Sequence, residues 1–202
     1  MCWNPEVSLN TFIIGCICAL ILILLNNTPY LYILIGLSIT SMQLLEYYAW
    51  NNLNNKKIIE KLSNIGLILI FTQLLLIANI IKNKKYKRIL IILFYILLIT
   101  YLIFQYPTTK LFMEKGENGH LIWHWIDVHP IWFILAFIFY LLPLYLNSEY
   151  IILLLGIISL VISLYYFYKY KTFGTMWCYY SNIIWLLLII NSIKILYKYV
   201  KK

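Results

Sequence analysis

Charge is the scarcest property of this sequence: only 11% of its 202 residues are charged, whereas 63% are hydrophobic. A soluble domain usually carries about a quarter charged residues, so this chain has too few to cover a surface in water. Lipid is the solvent that such a composition needs. The net charge of +9 comes from short basic clusters between apolar runs, which favours loop anchoring at a membrane over nucleic-acid binding.

Several motifs of catalysis and cross-linking are absent as well. The sequence has no phosphate-cradling glycine loop, no nucleophile elbow and no H-E-x-x-H zinc motif. Its cysteines, Cys2, Cys16, Cys18 and Cys178, form no C-x-x-C pair and no disulfide-framework spacing. Cys16 and Cys18 lie within an apolar segment, where we expect inert, buried thiols.

Long apolar segments are what the sequence has in abundance. Most approach the ~20 residues that an α-helix needs to cross ~30 Å of hydrocarbon, and no alternating pattern supports a barrel. We therefore predict an all-α, polytopic integral membrane protein, a seven-helix transmembrane bundle that forms a single domain over residues 1–202. The predicted helices span residues 8–26, 30–50, 62–81, 88–106, 130–147, 150–168 and 175–197.

The basic residues give this predicted bundle an orientation. With the N-terminus outside and the C-terminus inside, nine lysines and arginines fall on the inner side and seven on the outer side. The dense cluster from Lys82 to Arg88 favours this orientation. In any seven-pass bundle, the N-terminus, the end of helix 2, the start of helix 5 and the start of helix 7 share one face. The unusual residues of the chain are therefore predicted to gather there.

The stretch from His120 to Pro130 contains all three histidines and the only aspartate of the chain. If it is helical, His120, His124 and Asp127 share a face. His129 precedes Pro130, which suits the start of helix 5. Histidine and carboxylate ligands suit zinc or another divalent metal, and the predicted ligands are His124, Asp127 and His129. The alternative is an interfacial aromatic belt that these residues form with three tryptophans, Trp123, Trp125 and Trp132.

Glu46 is the one acidic residue deep in an apolar segment. A carboxylate inside a membrane usually faces the bundle interior and marks a functional site, and Gln43 lies one turn away as a hydrogen-bond partner. The alternative is that Glu46 snorkels to the interface from near the segment end. Cys2 and Cys178 fall on the same predicted face, where they could form a disulfide, join a metal site or remain unpaired thiols.

Three short motifs bracket the chain: Met1-Cys2-Trp3-Asn4 at its start, Gln43-Leu-Leu-Glu46-Tyr-Tyr-Ala-Trp50 in the second helix and Trp177-Cys178 near the last. They resemble the M-C-[FW]-S, Q-x-x-E-x-x-x-W and W-C motifs of a family of small, uncharacterised microbial or viral multi-pass membrane proteins. Asn4 stands in place of the usual serine. No activity is established for that family, so the resemblance supports the choice of residues and implies no reaction.

We expect a protein that binds a small ligand or ion at a polar cluster on one membrane face. Glu46 is the predicted buried or catalytic charge, and the predicted ligand contacts are Gln43, Trp50, Trp177, Cys2 and Cys178. One alternative is a metal-dependent, hydrolase-like membrane enzyme in which a bound metal activates water and Glu46 is a general base. Another is a non-catalytic structural or assembly protein. The expected partners are the lipid bilayer and that ligand or ion, without nucleic acid.

Overall fold

Eight α-helices make up most of residues 4–200, which the computed structural model describes, with side chains as far as Lys198. Helical residues of all types account for 78% of the described residues, so the predicted helical class is confirmed. Cys2 and Trp3 lie outside the described residues. The helices are α1 (Pro5–Leu25), α2 (Tyr30–Trp50), α3 (Lys56–Ala78), α4 (Lys84–Thr100), α5 (Pro130–Leu146), α6 (Tyr150–Phe167), α7 (Phe173–Ser181) and α8 (Ile184–Val200).

Asparagine caps make two helices start earlier than predicted. The Asn55 side chain accepts a hydrogen bond from the Ile58 N–H, and the Asn83 side chain accepts bonds from the first turn of α4. These bonds satisfy N–H groups that would otherwise lack a partner at a helix start. The lysines that follow each asparagine therefore join α3 and α4. Beyond α4, a π-helical stretch (Tyr101–Gln105) and a 3₁₀ turn (Tyr106–Thr108) continue the same rod.

The last predicted helix, 175–197, is two helices in the structure. α7 ends at Ser181 and α8 begins at Ile184. Next to this break, the Thr40 hydroxyl of α2 donates to the Asn182 side-chain oxygen over 2.7 Å. The Trp185 indole N–H donates to the same Thr40 oxygen over 2.8 Å. The break is thus fixed to α2 by side-chain hydrogen bonds on both of its sides.

A β-hairpin, and not a helix, occupies part of the connection between α4 and α5. Strand β1 (Met113–Lys115) pairs antiparallel with β2 (Leu121–Trp123), and a 3₁₀ turn (His124–Ile126) follows. Leu121 and Trp123 are buried, whereas Ile122 between them is half-buried, which is the alternation of a strand. The prediction that His120, His124 and Asp127 share a helix face is therefore wrong.

The exterior of the bundle is apolar, and five helical stretches are long and apolar enough to cross a membrane. They are Pro5–Leu25, Lys56–Ala78, Lys84–Thr108, Tyr150–Phe167 and Phe173–Lys198. α5 is apolar but has only 17 residues. α2 has 21 residues and is not among the five; it carries four buried polar residues, Ser38, Thr40, Gln43 and Glu46.

Hydrogen bonds between distant residues define two ends of the bundle. At one end, the Asn27 amide donates to the Ser192 carbonyl, and the Lys82 N–H donates to the Asn147 side chain. We call this the basic end; it comprises residues 26–29, 79–88, 147–149 and 191–198. At the other end, the Asn118 amide donates to the Thr172 hydroxyl over 2.8 Å. We call this the hairpin end; it comprises the start of α1 and residues 51–61, 106–129 and 168–172.

Candidate functional site

Glu46 and Gln43 lie on the inner face of α2, and neither has any exposed surface. Within residues 4–198, Glu46 is the only buried carboxylate. The alternative that Glu46 snorkels to an interface is therefore wrong. The Cys178 thiol of α7 lies within electrostatic range of Glu46. The structure thus brings together two of the predicted site residues from opposite parts of the sequence.

Cys178 also borders two cavities between the helices. The first has a volume of about 110 Å³ and lies between α2, α3, α5, α7 and the hairpin end. The second has a volume of about 90 Å³ and lies between α2, α3, α5, α6, α7 and α8. Three side chains, Tyr140, Trp177 and Cys178, line both cavities, and we call them the divider. Two predicted ligand contacts, Trp177 and Cys178, are therefore in the divider.

The divider is held in place from three neighbouring helices. The Tyr140 hydroxyl donates to Oε1 of Gln73 in α3, and Nε2 of Gln73 donates to the Ser38 carbonyl in α2 over 3.0 Å. The Trp177 indole N–H donates to the Ser159 hydroxyl in α6 over 3.2 Å. The Tyr140 and Trp177 rings meet edge to face at a centroid distance of 5.2 Å. These contacts fix both rings in one arrangement.

Aromatic rings form most of the wall of the first cavity. Few polar side chains reach it, and one of them, Thr175, already donates a hydrogen bond of 2.8 Å to the Leu121 carbonyl. A space with apolar walls and few polar groups is suited to an apolar ring or chain, and not to a hydrated ion. The rings that line it include Tyr101, Trp123, Trp125, Trp132, Phe133 and Phe137.

Three other predicted site residues do not line either cavity. Glu46 and Gln43 are not among the residues that line the wall, to which α2 contributes Met42, the neighbour of Gln43 in the sequence. Trp50 is half-buried and packs against the hydrophobic cluster around Trp123. The polar pair on α2 is therefore next to the cavity wall and not part of it.

The histidines and the aspartate are dispersed over the hairpin end. His124 Nε2 lies 2.9 Å from a Glu114 carboxylate oxygen, and Asp127 accepts a bond of 3.0 Å from the Lys171 ammonium group. The His129 ring nitrogen accepts from the Ile131 N–H at the start of α5, which makes His129 a helix cap. His120 is buried and its ring meets the Phe167 ring edge to face.

No metal centre is assembled from these residues. Over the part of the chain that the structure describes, no three His, Cys, Asp or Glu side chains lie together as a metal-binding group. His124 and Asp127 do line one pocket of about 320 Å³ at the hairpin end, but His129 does not. The predicted trio of His124, Asp127 and His129 is therefore not brought together.

The alternative of an interfacial aromatic belt is wrong for two of its three tryptophans. Trp123 and Trp125 are only 2% and 9% exposed, and their rings meet at a centroid distance of 5.4 Å. Trp132 meets the Tyr101 ring edge to face at 5.3 Å. All three line the first cavity, so the tryptophans of this stretch form a cap over the aromatic cavity.

Sequence reasoning missed Tyr140, and it expected Gln73 to bond between helices without connecting it with the divider that the two residues position. Tyr140 was indistinguishable from the many tyrosines that anchor helix ends at a membrane interface. Gln73 does carry a signal, because it is a polar residue in the middle of an apolar helix and such residues usually bond between helices. The structure adds that its partner is the buried Tyr140.

No family model, curated protein or solved structure matches this chain. The resemblance to the uncharacterised membrane family therefore rests on its sequence motifs alone.

Proposed function

We propose that this chain is an integral membrane protein whose seven segments cross the bilayer, with α7 and α8 together as the seventh. The two ends of the bundle support this arrangement, because successive connections of the chain alternate between the hairpin end and the basic end. The apolar exterior supports it as well. The N-terminus faces outward and the C-terminus inward in this proposal, in line with the basic cluster from Lys82 to Arg88.

Its function in this proposal is to bind a small apolar molecule in the aromatic cavity, in contact with the divider. The observation that carries the proposal is that two cavities between the helices meet at Tyr140, Trp177 and Cys178, beside the buried Glu46. An engineered protein cavity of ~150 Å³ stays dry and takes up benzene. The first cavity, of about 110 Å³, suits a group of that size or slightly smaller.

The divider sets an upper size for the ligand. A longer molecule would occupy both cavities only if the Tyr140 or Trp177 ring turned away and gave up its hydrogen bond. We therefore expect small compact apolar groups to bind better than long chains. Within residues 4–198, no observation favours the metal-dependent enzyme, because His124 and Asp127 are engaged with Glu114 and Lys171. A purely structural protein is the alternative that the experiment must exclude.

Thermal unfolding of the purified protein in detergent, with and without benzene, tests this proposal. Ala136→Phe adds a ring to the wall of the first cavity, whereas Ile134→Phe adds the same ring to the exposed face of the same helix. We expect benzene at tenfold excess over its Kd to stabilise the native protein and Ile134→Phe by about 1.4 kcal/mol. We expect no such stabilisation of Ala136→Phe.

The matched control separates cavity binding from effects on the detergent. An equal shift in all three proteins would mean that benzene acts through the micelle. No shift in the native protein would mean that the cavities are packing gaps, and the structural alternative would then stand.

A further inference from the structure

A groove at the basic end lies apart from the aromatic cavity, and what it binds is inferred independently of the ligand proposed there, although it rests on the proposed insertion of the chain in a bilayer. It has a volume of about 380 Å³ and lies between the start of α2, the start of α6 and the first three turns of α8. One wall is apolar and is formed mainly by Ile151, Ile152, Leu187 and Leu188. Two lysines, Lys82 and Lys194, line the same groove, and both are exposed.

A hydrogen-bonded frame supports the rim of this groove. The Tyr32 hydroxyl donates to a Glu149 carboxylate oxygen over 2.7 Å, and the Asn147 amide donates to the Tyr32 oxygen over 3.0 Å. The Asn147 amide also reaches the same Glu149 oxygen at 3.3 Å. The Lys82 backbone N–H donates to the Asn147 oxygen. The frame thereby joins two connections of the chain to the first turn of α2, and it gives Glu149 two hydrogen-bond donors.

The two lysines of the groove are left without an acidic partner. Over residues 4–198, neither Lys82 nor Lys194 has a carboxylate within 4.0 Å of its ammonium group. Glu149 is the one carboxylate that lines the groove, and it accepts hydrogen bonds from Tyr32 and Asn147. Two ammonium groups therefore face one groove with only a single, already engaged negative charge nearby.

The two ends of the bundle differ sharply in charge balance. Between residues 4 and 198, the basic end has seven basic side chains against a single acidic one, Glu149. The hairpin end also has seven basic side chains, but five exposed acidic ones accompany them. The acidic residues of the hairpin end are Glu6, Glu60, Glu114, Glu117 and Asp127. An uncompensated positive surface beside a membrane attracts anionic lipids.

We propose that this groove binds one anionic phospholipid of the surrounding bilayer. The headgroup phosphate lies against the Lys82 and Lys194 ammonium groups, and an acyl chain runs along the wall formed by Ile151, Ile152, Leu187 and Leu188. Charge complementarity selects an anionic headgroup over a zwitterionic one, because the groove supplies two positive charges and no free negative one. The apolar wall selects a lipid over a free phosphate compound.

Native mass spectrometry of the detergent-purified full chain tests this proposal with phosphatidylglycerol and phosphatidylcholine as probes. The test variant is Lys82→Gln with Lys194→Gln, and the control is Lys56→Gln with Lys57→Gln, which removes two exposed lysines at the hairpin end. We expect retained phosphatidylglycerol to fall about tenfold or more in the test variant and to change little in the control. Phosphatidylcholine should be retained weakly by all three proteins.

Three results would overturn the proposal. The first is equal retention of the two lipids by the native protein. The second is a test variant that keeps its preference for phosphatidylglycerol. The third is a control that loses this preference as completely as the test variant is expected to. Competition by glycerol 3-phosphate tests whether the groove recognises a lipid or a free phosphate compound. If it displaced phosphatidylglycerol at equal concentration, the site would recognise a free phosphate group and not a lipid.

Discussion

The Tyr140 hydroxyl of α5 donates a hydrogen bond to Oε1 of Gln73 in α3, and both side chains are buried inside the bundle. The Gln73 amide then reaches across to the Ser38 carbonyl of α2. One glutamine thereby uses its acceptor on one helix and its donor on another. Because Tyr140 is part of the divider, this bond determines how the two cavities are separated.

Loss of the Tyr140 hydroxyl should destabilise the bundle. Tyr140→Phe leaves the Gln73 oxygen without its donor, and we expect unfolding free energy to fall by about 1 kcal/mol, the scale of hydrogen bonds between membrane helices. Tyr145→Phe in the same helix removes an exposed hydroxyl and should change stability by less than ~0.5 kcal/mol. Thermal unfolding in detergent measures both.

A double-mutant cycle with Gln73→Leu assigns that loss to the pair. We expect Tyr140→Phe combined with Gln73→Leu to cost less than the sum of the two single changes, because each single change already breaks the bond. Strict additivity would mean that the two side chains do not act through one another.

Thr40 should contribute to the free energy of unfolding, because it joins α2 to the break between α7 and α8. Thr40→Val keeps the shape but removes the acceptor of Trp185 and the donor of Asn182. We expect a loss of about 1–2 kcal/mol. Thr72→Val is the matched control, because the exposed Thr72 hydroxyl bonds only to a carbonyl of its own helix. Equal midpoints for the two variants would contradict this role of Thr40.

The apolar segments were predictable because hydrophobic length is a local property of the sequence. Six of the seven predicted segments each correspond to one helix, and the burial of Glu46 follows from the high cost of an exposed charge in lipid. The break at Asn182 was not predictable in this way. It depends on a bond to Thr40, which lies 142 residues away in the sequence. A continuous apolar run gives no sign of such a partner.

The structure of the stretch from His120 to Pro130 also depends on a contact with another segment, which its own sequence does not show. Its spacing suggested one helix face, but the pairing of Met113 with Trp123 makes the stretch a strand followed by a 3₁₀ turn. Pairing of strands is a relationship between two segments and cannot be read from either one alone. The three predicted metal ligands do not come together, because the stretch is not the single helix that the prediction assumed.

Gly36 permits the close approach of a tryptophan ring to α2. A Cβ atom at this position would lie 2.8 Å from the Trp185 ring, so Gly36→Ala forces the ring or the helix to move. We expect a loss of about 1–3 kcal/mol in unfolding free energy, the usual range for overpacking. Gly156→Ala in α6 is the control, because its Cβ would meet only a Leu141 methyl group at 3.6 Å and should be tolerated. A tolerated Gly36→Ala would mean that Trp185 does not pack as described.

His120 and His124 should respond differently to truncation, although the sequence placed them in one cluster. His120 is 4% exposed and packs on Phe167, so His120→Ala should cost about 1–3 kcal/mol. His124 pairs with a half-exposed Glu114, so His124→Ala should cost less than ~1 kcal/mol.

Thermal unfolding of the native protein, His120→Ala and His124→Ala with and without the chelator EDTA tests for a bound metal. Because each predicted ligand has a different protein partner, we expect the midpoints of all three proteins to be unchanged by EDTA. A midpoint that falls with EDTA in the native protein and not in His124→Ala would instead establish a metal at His124.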